Sequence, residues 1–266
     1  VSFQINRNDH LIGGLDLGRQ GIEFPSALGP VLTKDAAAVT YVDFLGRSIV
    51  GDDPDLHARL PWREQPLKES GPFAYAIASH VIQHIPNLID WFDDVSQSLT
   101  GDGIISLAIP DKRYGFDLKR PLSTTGTLVE AHLQGNRRPS IAQMFDSCRM
   151  TVAMNTEDAW AGVQNAPLFV GDVALQLAYE QAVRQYNGND YIDSHCWIFT
   201  PSSFLDIFED LINLKLLSLE FDRFVPTIAG TSEFLVRFRR AGQNPLETVR
   251  AARDIVWKQE RSNLLR

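Results

Sequence analysis

Only two of the 266 residues are cysteine, Cys148 and Cys196. So sparse a supply excludes a disulfide framework and clustered thiolates for zinc, and it fits a reducing, cytoplasmic setting. No apolar run approaches the roughly 18 residues of a membrane span. The opening VSFQINRNDH lacks the basic and apolar blocks of a secretory signal. Cationic excess is also missing. A formal charge of −8 argues against non-specific binding to nucleic acid or to an anionic membrane. Arg137 and Arg138 form an isolated basic pair, read as a solvated loop. No internal repeat or low-complexity tract interrupts the chain, whose length suits one large α/β domain with a sizeable insertion.

What is present alternates between strand-like and helical patterns. LIGGLDLG (11 to 18) reads as a short first strand closing on glycine, and AVTYVDF (38 to 44) as a second, with Asp43 near its end. FAYAIAS (73 to 79) and GIISLAIP (103 to 110) are near-continuous apolar runs, as expected of strands covered on both faces. Between them NLIDWFDDVSQSL (87 to 99) sets Leu88, Trp91, Phe92, Val95 and Leu99 at helical spacing, and TGDG stops it. Strand, helix, strand is a βαβ unit and predicts a parallel sheet. Between Asp43 and Phe73 no third strand is evident: GDDPDL (51 to 56) is loop-like, and REQPLKESGP (63 to 72) is polar.

Residues 118–194 read as a helical insertion over the carboxyl edge of the sheet, where α/β proteins bind ligands. PSSFLDIFEDLI (201 to 212) opens as a helix capped by Thr200. LKLLSLEF (214 to 221) and SEFLVRFRR (232 to 240) look like a closing strand pair. Residues 244–266 form a C-terminal helix, with Leu246, Val249, Ala252 and Val256 on one stripe that can cover the sheet or a partner. The whole chain, 1–266, reads as a single domain.

Several polar groups sit where chemistry can occur. In LDLGRQG (15 to 21), Asp16, Gly18 and Gly21 can let a nucleotide-like ligand approach the backbone closely, or can simply make a tight turn. The spacing falls short of the full dinucleotide fingerprint, which disfavours a nicotinamide-dependent oxidoreductase, and no Lys-Ser or Lys-Thr pair marks a P-loop. Asp43 can accept hydrogen bonds from a ribose diol, or can cap a helix. His80 and His84 in SHVIQH share a face if the chain turns helical after Ser79. The H-E-x-x-H pattern of a zinc hydrolase is absent, so no metal site is expected. One histidine can pack under a ligand while the other faces it as a base; a purely structural role fits as well. In PDKRYGFD (110 to 117), Asp111 can activate a polar substrate or close a turn, with Arg113 as its surface partner. In SHCWIFTP (194 to 201), His195 can reach a substrate, Trp197 reads as core, and Cys196 has no activating partner in sequence.

Taken together these segments resemble the class I S-adenosylmethionine-dependent methyltransferases. The likeness is strongest to a bacterial branch associated with polysaccharide or cell-surface glycan synthesis. IASHVIQH is similar to that branch's I-A-S-H-V-L-E-H, and LTGDGIISLAIPDKRYGFD to its L-K-P-G-G-x-L-x-L-A-I-P-D-K-R-Y-x-F-D. HCWIFTPSSF is similar to H-x-W-x-x-T-P-x-x-F, and YVDF to the end of the second strand. The resemblance implies a Rossmann-like, seven-stranded, mostly parallel sheet with the last strand antiparallel. It implies S-adenosylmethionine as cofactor: Asp16, Gly18 and Gly21 beside its methionine part, Asp43 on the ribose, Ser79 and His80 lining the pocket. It further implies a small-molecule or glycan acceptor, with His84, Asp111 and His195 as candidate bases. A second reading stays open, in which the domain is catalytically inactive and serves as a scaffold for a partner protein or an additional domain.

Overall fold

A computed structural model of the chain describes residues 7–25, 29–43, 59–61 and 66–264. Helix α1 (Arg7–Leu11) is followed by strands β1 (Gly21–Phe24), β2 (Val39–Asp43), β3 (Arg59–Pro61) and β4 (Phe73–Ser79). Next come α2 (Leu88–Ser98) and the long β5 (Leu99–Pro110). Four helices occupy the predicted insertion: α3 (Thr125–Leu133), α4 (Ile141–Met150), α5 (Thr156–Trp160) and α6 (Ala174–Asn187). Then α7 (Pro201–Asn213), β6 (Leu219–Val225), β7 (Glu233–Arg240) and α8 (Pro245–Leu264) close the order.

The strands form one seven-stranded sheet in the order β3-β2-β1-β4-β5-β7-β6. The first five are parallel, and β7 runs antiparallel between β5 and β6. The fold is α/β and Rossmann-like. Register fixes which residues share its carboxyl edge: Phe24 pairs with Ala78, Ser79 with Ala108, and Pro110 with Glu233. Because β7 is reversed, its first residue, Glu233, stands where the parallel strands end.

Side chains alternate between the two faces, as the pleat requires. Ile105, Leu107 and Ile109 of β5 and Phe234, Val236 and Phe238 of β7 face the main core under α2, α7 and α8. On the opposite face Ala108 and Leu235 pack with Leu11, while Ser106 Oγ donates to Leu11 O (2.7 Å) and Arg237 to Gly13 O (2.6 Å). Residues 7–17 therefore cover that face. The C-terminal stripe is buried as well, with Val249, Ala252 and Val256 in the main core. Asn87 caps α2 by accepting from Asp90 N–H, and Thr200 caps α7 reciprocally with Ser203.

Four expectations change. The strand expected at 103 begins at Leu99, so TGDG lies within β5. LIGGLDLG is no strand: it is the end of α1 and a turn whose Leu11, Leu15 and Leu17 pack onto the sheet. The first strand is instead the four-residue GIEF. A third strand exists, three residues paired in parallel with β2 from Tyr41↔Arg59 to Asp43↔Pro61; the acids of residues 51–56 lie outside the described residues. The penultimate strand begins at Leu219, because Asn213 to Leu217 finish α7 and turn through Lys215 at φ 60°. Cys148 and Cys196 are free thiols. Among the described residues no helix is long and apolar enough to cross a membrane.

Candidate functional site

A cavity of about 420 Å³ opens at the carboxyl edge, between the loop after β1, the end of β4 and the start of β7. That volume lies in the range of roughly 300–1,000 Å³ usual for small-molecule sites. Its polar wall is one network. Arg7 donates from Nε to Glu233 Oε1 (2.5 Å) and from a terminal nitrogen to Ser79 Oγ (2.6 Å), while His80 Nε2 lies 2.7 Å from Glu233 Oε2. Burial pushes the Glu233 carboxyl up, but the hydrogen bonds from His80 and Arg7 outweigh it and leave the group below its ordinary range. His80 holds a left-handed backbone, φ 54°, fixed by its N–H bonding to Ala108 O at 2.9 Å. Such a conformation is uncommon outside glycine and concentrates at functional sites.

The loop that forms another wall is anchored from below. Glu23, in the middle of β1 and only 1% exposed, accepts from the backbone N–H groups of Val31 (2.5 Å) and Leu32 (3.0 Å). Gly29, at φ 93°, a left-handed backbone that favours glycine, also lines the cavity. Burial raises the Glu23 carboxyl to about 7. Its folded value thus lies above the unfolded 4.5, so the folded state binds the extra proton between those limits. Stability should then fall as pH rises from about 4.5 to 7, by on the order of 3 kcal/mol from this one group. Glu23→Gln removes the titration, and melting temperature against pH should flatten over that window. An unchanged slope would mean Glu23 is already ionised at little cost.

Asp16, Gly18 and Gly21 lie at the opposite, amino edge. Asp16 Oδ1 accepts from Gly18 N–H (3.2 Å), and Gly21 begins β1, where a Cβ would meet the Tyr75 ring at 2.1 Å. Their glycines serve a turn and a close packing contact, which corrects their assignment to the cofactor's edge. Arg19 and Gln20 belong to that amino edge too: Arg19 pairs with Asp102 (2.8 Å), Gln20 bonds to Thr40 Oγ1 (2.8 Å). Neither obstructs the cavity. Ser79 and His80 do line it, and Asp43 ends β2 at the same edge, its side chain outside the described part of the structure.

A second cluster lies beyond β4 on the same edge. The His84 and His195 rings meet edge to face, with centroids 4.6 Å apart. Each has its Nδ1 on a carboxylate: His84 on Asp193 (2.8 Å) and His195 on Asp117 (2.5 Å). Tyr191 donates to Asp193 as well (2.9 Å), and Arg120 bridges Asp117 Oδ1 (3.2 Å) and His195 O (2.9 Å). Burial lowers His195 below its ordinary value, with Asp117 opposing and His84 and Arg120 adding to the drop. Burial raises Asp117 and Asp193, yet their histidine partners hold both below the usual carboxylate range.

Asp111 is set apart from this pair. Only 1% exposed, it takes the Arg113 fork (3.0 Å from Nε, 2.7 Å from a terminal nitrogen), the Arg113 N–H (3.1 Å) and the Thr227 hydroxyl (2.6 Å). A carboxylate so fully engaged acts as a clamp between its neighbours. This places Asp111, expected as a candidate base, in a clamp apart from the two histidines, and the expected pairing with Arg113 is present. Among the described residues no group of three or more His, Cys, Asp or Glu side chains is arranged to hold a metal ion.

Sequence reasoning passed over Arg7, Glu23, Asp117, Asp193 and Glu233. Asp117 closes the PDKRYGFD segment and Asp193 stands two residues before His195, so both were within reach of a local signal. Glu233 and Arg7 are joined across 226 positions, which no local pattern records.

No family model matches the chain, and no curated protein does. Among solved structures, the CcbJ methyltransferase from Streptomyces caelestis is 10% identical over 87% of this chain and 87% of its own, with a TM-score of 0.45. An S-adenosylmethionine-dependent methyltransferase from Mesorhizobium loti is 13% identical over 84% and 91%, at 0.40. A Rhodobacter sphaeroides chain, described as a candidate Zn-dependent alcohol dehydrogenase, is 17% identical over 88% and 89%, at 0.45. At such scores these likenesses decide nothing about activity.

Proposed function

We propose that this chain is a class I S-adenosylmethionine-dependent methyltransferase acting on a small-molecule or glycan-type acceptor in the cytoplasm. The observation that carries this reading is a single coincidence. The strand order β3-β2-β1-β4-β5-β7-β6, with β7 alone reversed, brings Ser79, His80 and Glu233 around a cavity at the carboxyl ends of β1 and β4. Ligands of open α/β sheets bind in that crevice.

The residues present fit the cofactor. Its amino-acid end carries a carboxylate and an ammonium group, for which Arg7 and Glu233 supply the opposite charges on one wall. Asp43, at the end of the neighbouring β2, stands where a ribose diol is held in such folds. When bound, the cofactor supplies an electrophilic methyl group on sulfonium. The chain's own part is to align an acceptor with that methyl and to shield it from water, with at most one base. His84 and His195, gathered at the same edge, are the candidates for that base.

Titration calorimetry with S-adenosylmethionine and S-adenosylhomocysteine tests the reading. Micromolar binding is expected, weakened roughly 10- to 100-fold in Arg7→Ala and in Asp43→Ala, the loss expected of a charged hydrogen bond. Absence of both heat and thermal shift at millimolar ligand would sink it. One observation favours the inactive scaffold instead: Arg7, Glu233 and His80 already satisfy one another along the cavity wall. In that reading a partner protein would use the exposed apolar stripe of α6, Leu175, Tyr179 and Tyr186, since the stripe foreseen on the C-terminal helix is buried.

A further inference from the structure

We propose that the exposed face of α6 is where a second copy of this chain docks, the two helices running antiparallel about a two-fold axis. The proposal is independent of the methyltransferase reading. Helix α6 packs on α4 and buries a row of small residues, Ala174, Ala178 and Ala182. Gln185 continues that row, its amide donating to Pro139 O (2.5 Å). One position after each of these comes a large apolar residue: Leu175, Tyr179, Val183 and Tyr186. One residue is about 100° of helix, so this second row runs beside the buried one along the next face. It is open to solvent, at 59%, 62%, 38% and 72%. Phe169 and Val173, just ahead of the helix, are exposed as well. Six of the fourteen exposed large apolar side chains among the described residues thus fall between 169 and 186. So concentrated a patch marks an interaction surface, unlike apolar residues scattered singly.

The chemistry of the face points to a copy of itself. No charged side chain stands in the row, so two such faces meet without burying an unpaired charge. The helix carries its charges on the outer flank, Glu180 near the middle and Arg184 one turn later. A two-fold crossing centred near residue 181 sets Tyr179 of each copy against Val183 of the other. It also brings each Glu180 to within two residues of helix rise, about 3 Å along the axis, of Arg184 in the other copy. In a parallel crossing the same helices would set like charges side by side. The row's spacings of four, four and three residues are those of ridges that interlock between packed helices. Area agrees with this occupant. An aromatic side chain covers roughly 150–250 Å². The four residues of each copy together withdraw on the order of 1,000 Å² from water, the lower bound for a specific interface. That size suits a dimer of micromolar affinity.

Sedimentation velocity on the full chain, from about 1 to 100 μM, tests the proposal. Mass should rise from 29.8 kDa toward twice that value as concentration increases. Leu175→Glu and Tyr179→Glu each put a charge into the face and should weaken association roughly 10-fold or more. Both positions are exposed, so thermal melting of the dilute variants should match that of the wild type. Glu180→Arg alone, or Arg184→Glu alone, should weaken the dimer roughly 3- to 10-fold. The double variant carrying both reversals should recover it, because each charge again meets its opposite in the other copy. A wild-type chain that stays at 29.8 kDa throughout the range overturns the proposal. That outcome includes the case in which a different protein occupies the face and is lost in Tyr179→Glu. A dimer that persists in Leu175→Glu and Tyr179→Glu overturns it too, since its interface then lies elsewhere. So does a double variant that associates as weakly as the single ones, which would remove the antiparallel arrangement. Cofactor titration judges the methyltransferase reading separately.

Discussion

Truncating Phe208 to alanine is expected to lower the unfolding free energy by about 4 kcal/mol, in the middle of the range for core aromatic deletions. Phe208 is fully buried on the inner face of α7 and stacks on Phe204 (centroids 4.1 Å) and Phe238 (5.2 Å), with Phe92 edge-on at 5.2 Å. Removing it empties the point where α7, α2 and β7 meet, and the remaining rings cannot close in without leaving their own contacts. A domain holds only about 5–15 kcal/mol in all, so the variant should unfold at a much lower denaturant midpoint with an unchanged slope. The effect has a functional side. Residues 195–200 lead directly into α7, so loosening the helix loosens His195. A loss below about 1 kcal/mol would mean that the aromatic cluster repacks, and that α7 is not seated by this ring.

Asp111→Ala should cost about 3 kcal/mol, near the lower bound for breaking a buried ion pair, because Arg113 keeps one edge in water. Asp111 joins three segments, two of them through its backbone. Its own N–H bonds to Ser232 O (2.8 Å) before β7, its side chain takes Thr227 after β6, and its backbone pairs with Phe199 ahead of α7. Without it, Thr227 and the Arg113 fork lose their shared acceptor. Asp111→Asn keeps an acceptor for Thr227 and should lose less. Chemical denaturation of the two variants measures the difference. Were Asp111 the base instead, both variants would keep wild-type stability and lose only turnover, an outcome that would reverse the assignment made here.

The strands most legible in the sequence are those whose two faces are both buried. FAYAIAS became β4 without a residue of error because an unbroken apolar run of that length, bounded by proline and a polar segment, has few other uses. LIGGLDLG misled for the same reason in reverse: a coil laid over a sheet needs leucines too, and Leu11 is as buried as any strand residue. The true first strand, GIEF, is four residues with an acid inside, so its pattern argues against burial although all four are buried. At three residues, β3 is too short for any periodicity. His84 and His195 were recognisable as candidates, but their meeting depends on partners 109 and 78 positions away. Pairings over such distances are decided by topology, which local patterns do not carry.

The reversed seventh strand has a consequence for the order in which the molecule can be assembled. Its first residue, Glu233, is the group to which Arg7 and His80 both bind, 226 and 153 positions earlier in the chain. Contacts of that separation form late, since the long loop between them must close before they yield any return. During synthesis the five parallel strands can be laid down and covered by α2 while the acid that completes the cavity wall is still unmade. A ligand that relies on Glu233 is therefore invisible to a partly made chain, and it recognises only molecules in which the final hairpin has already docked.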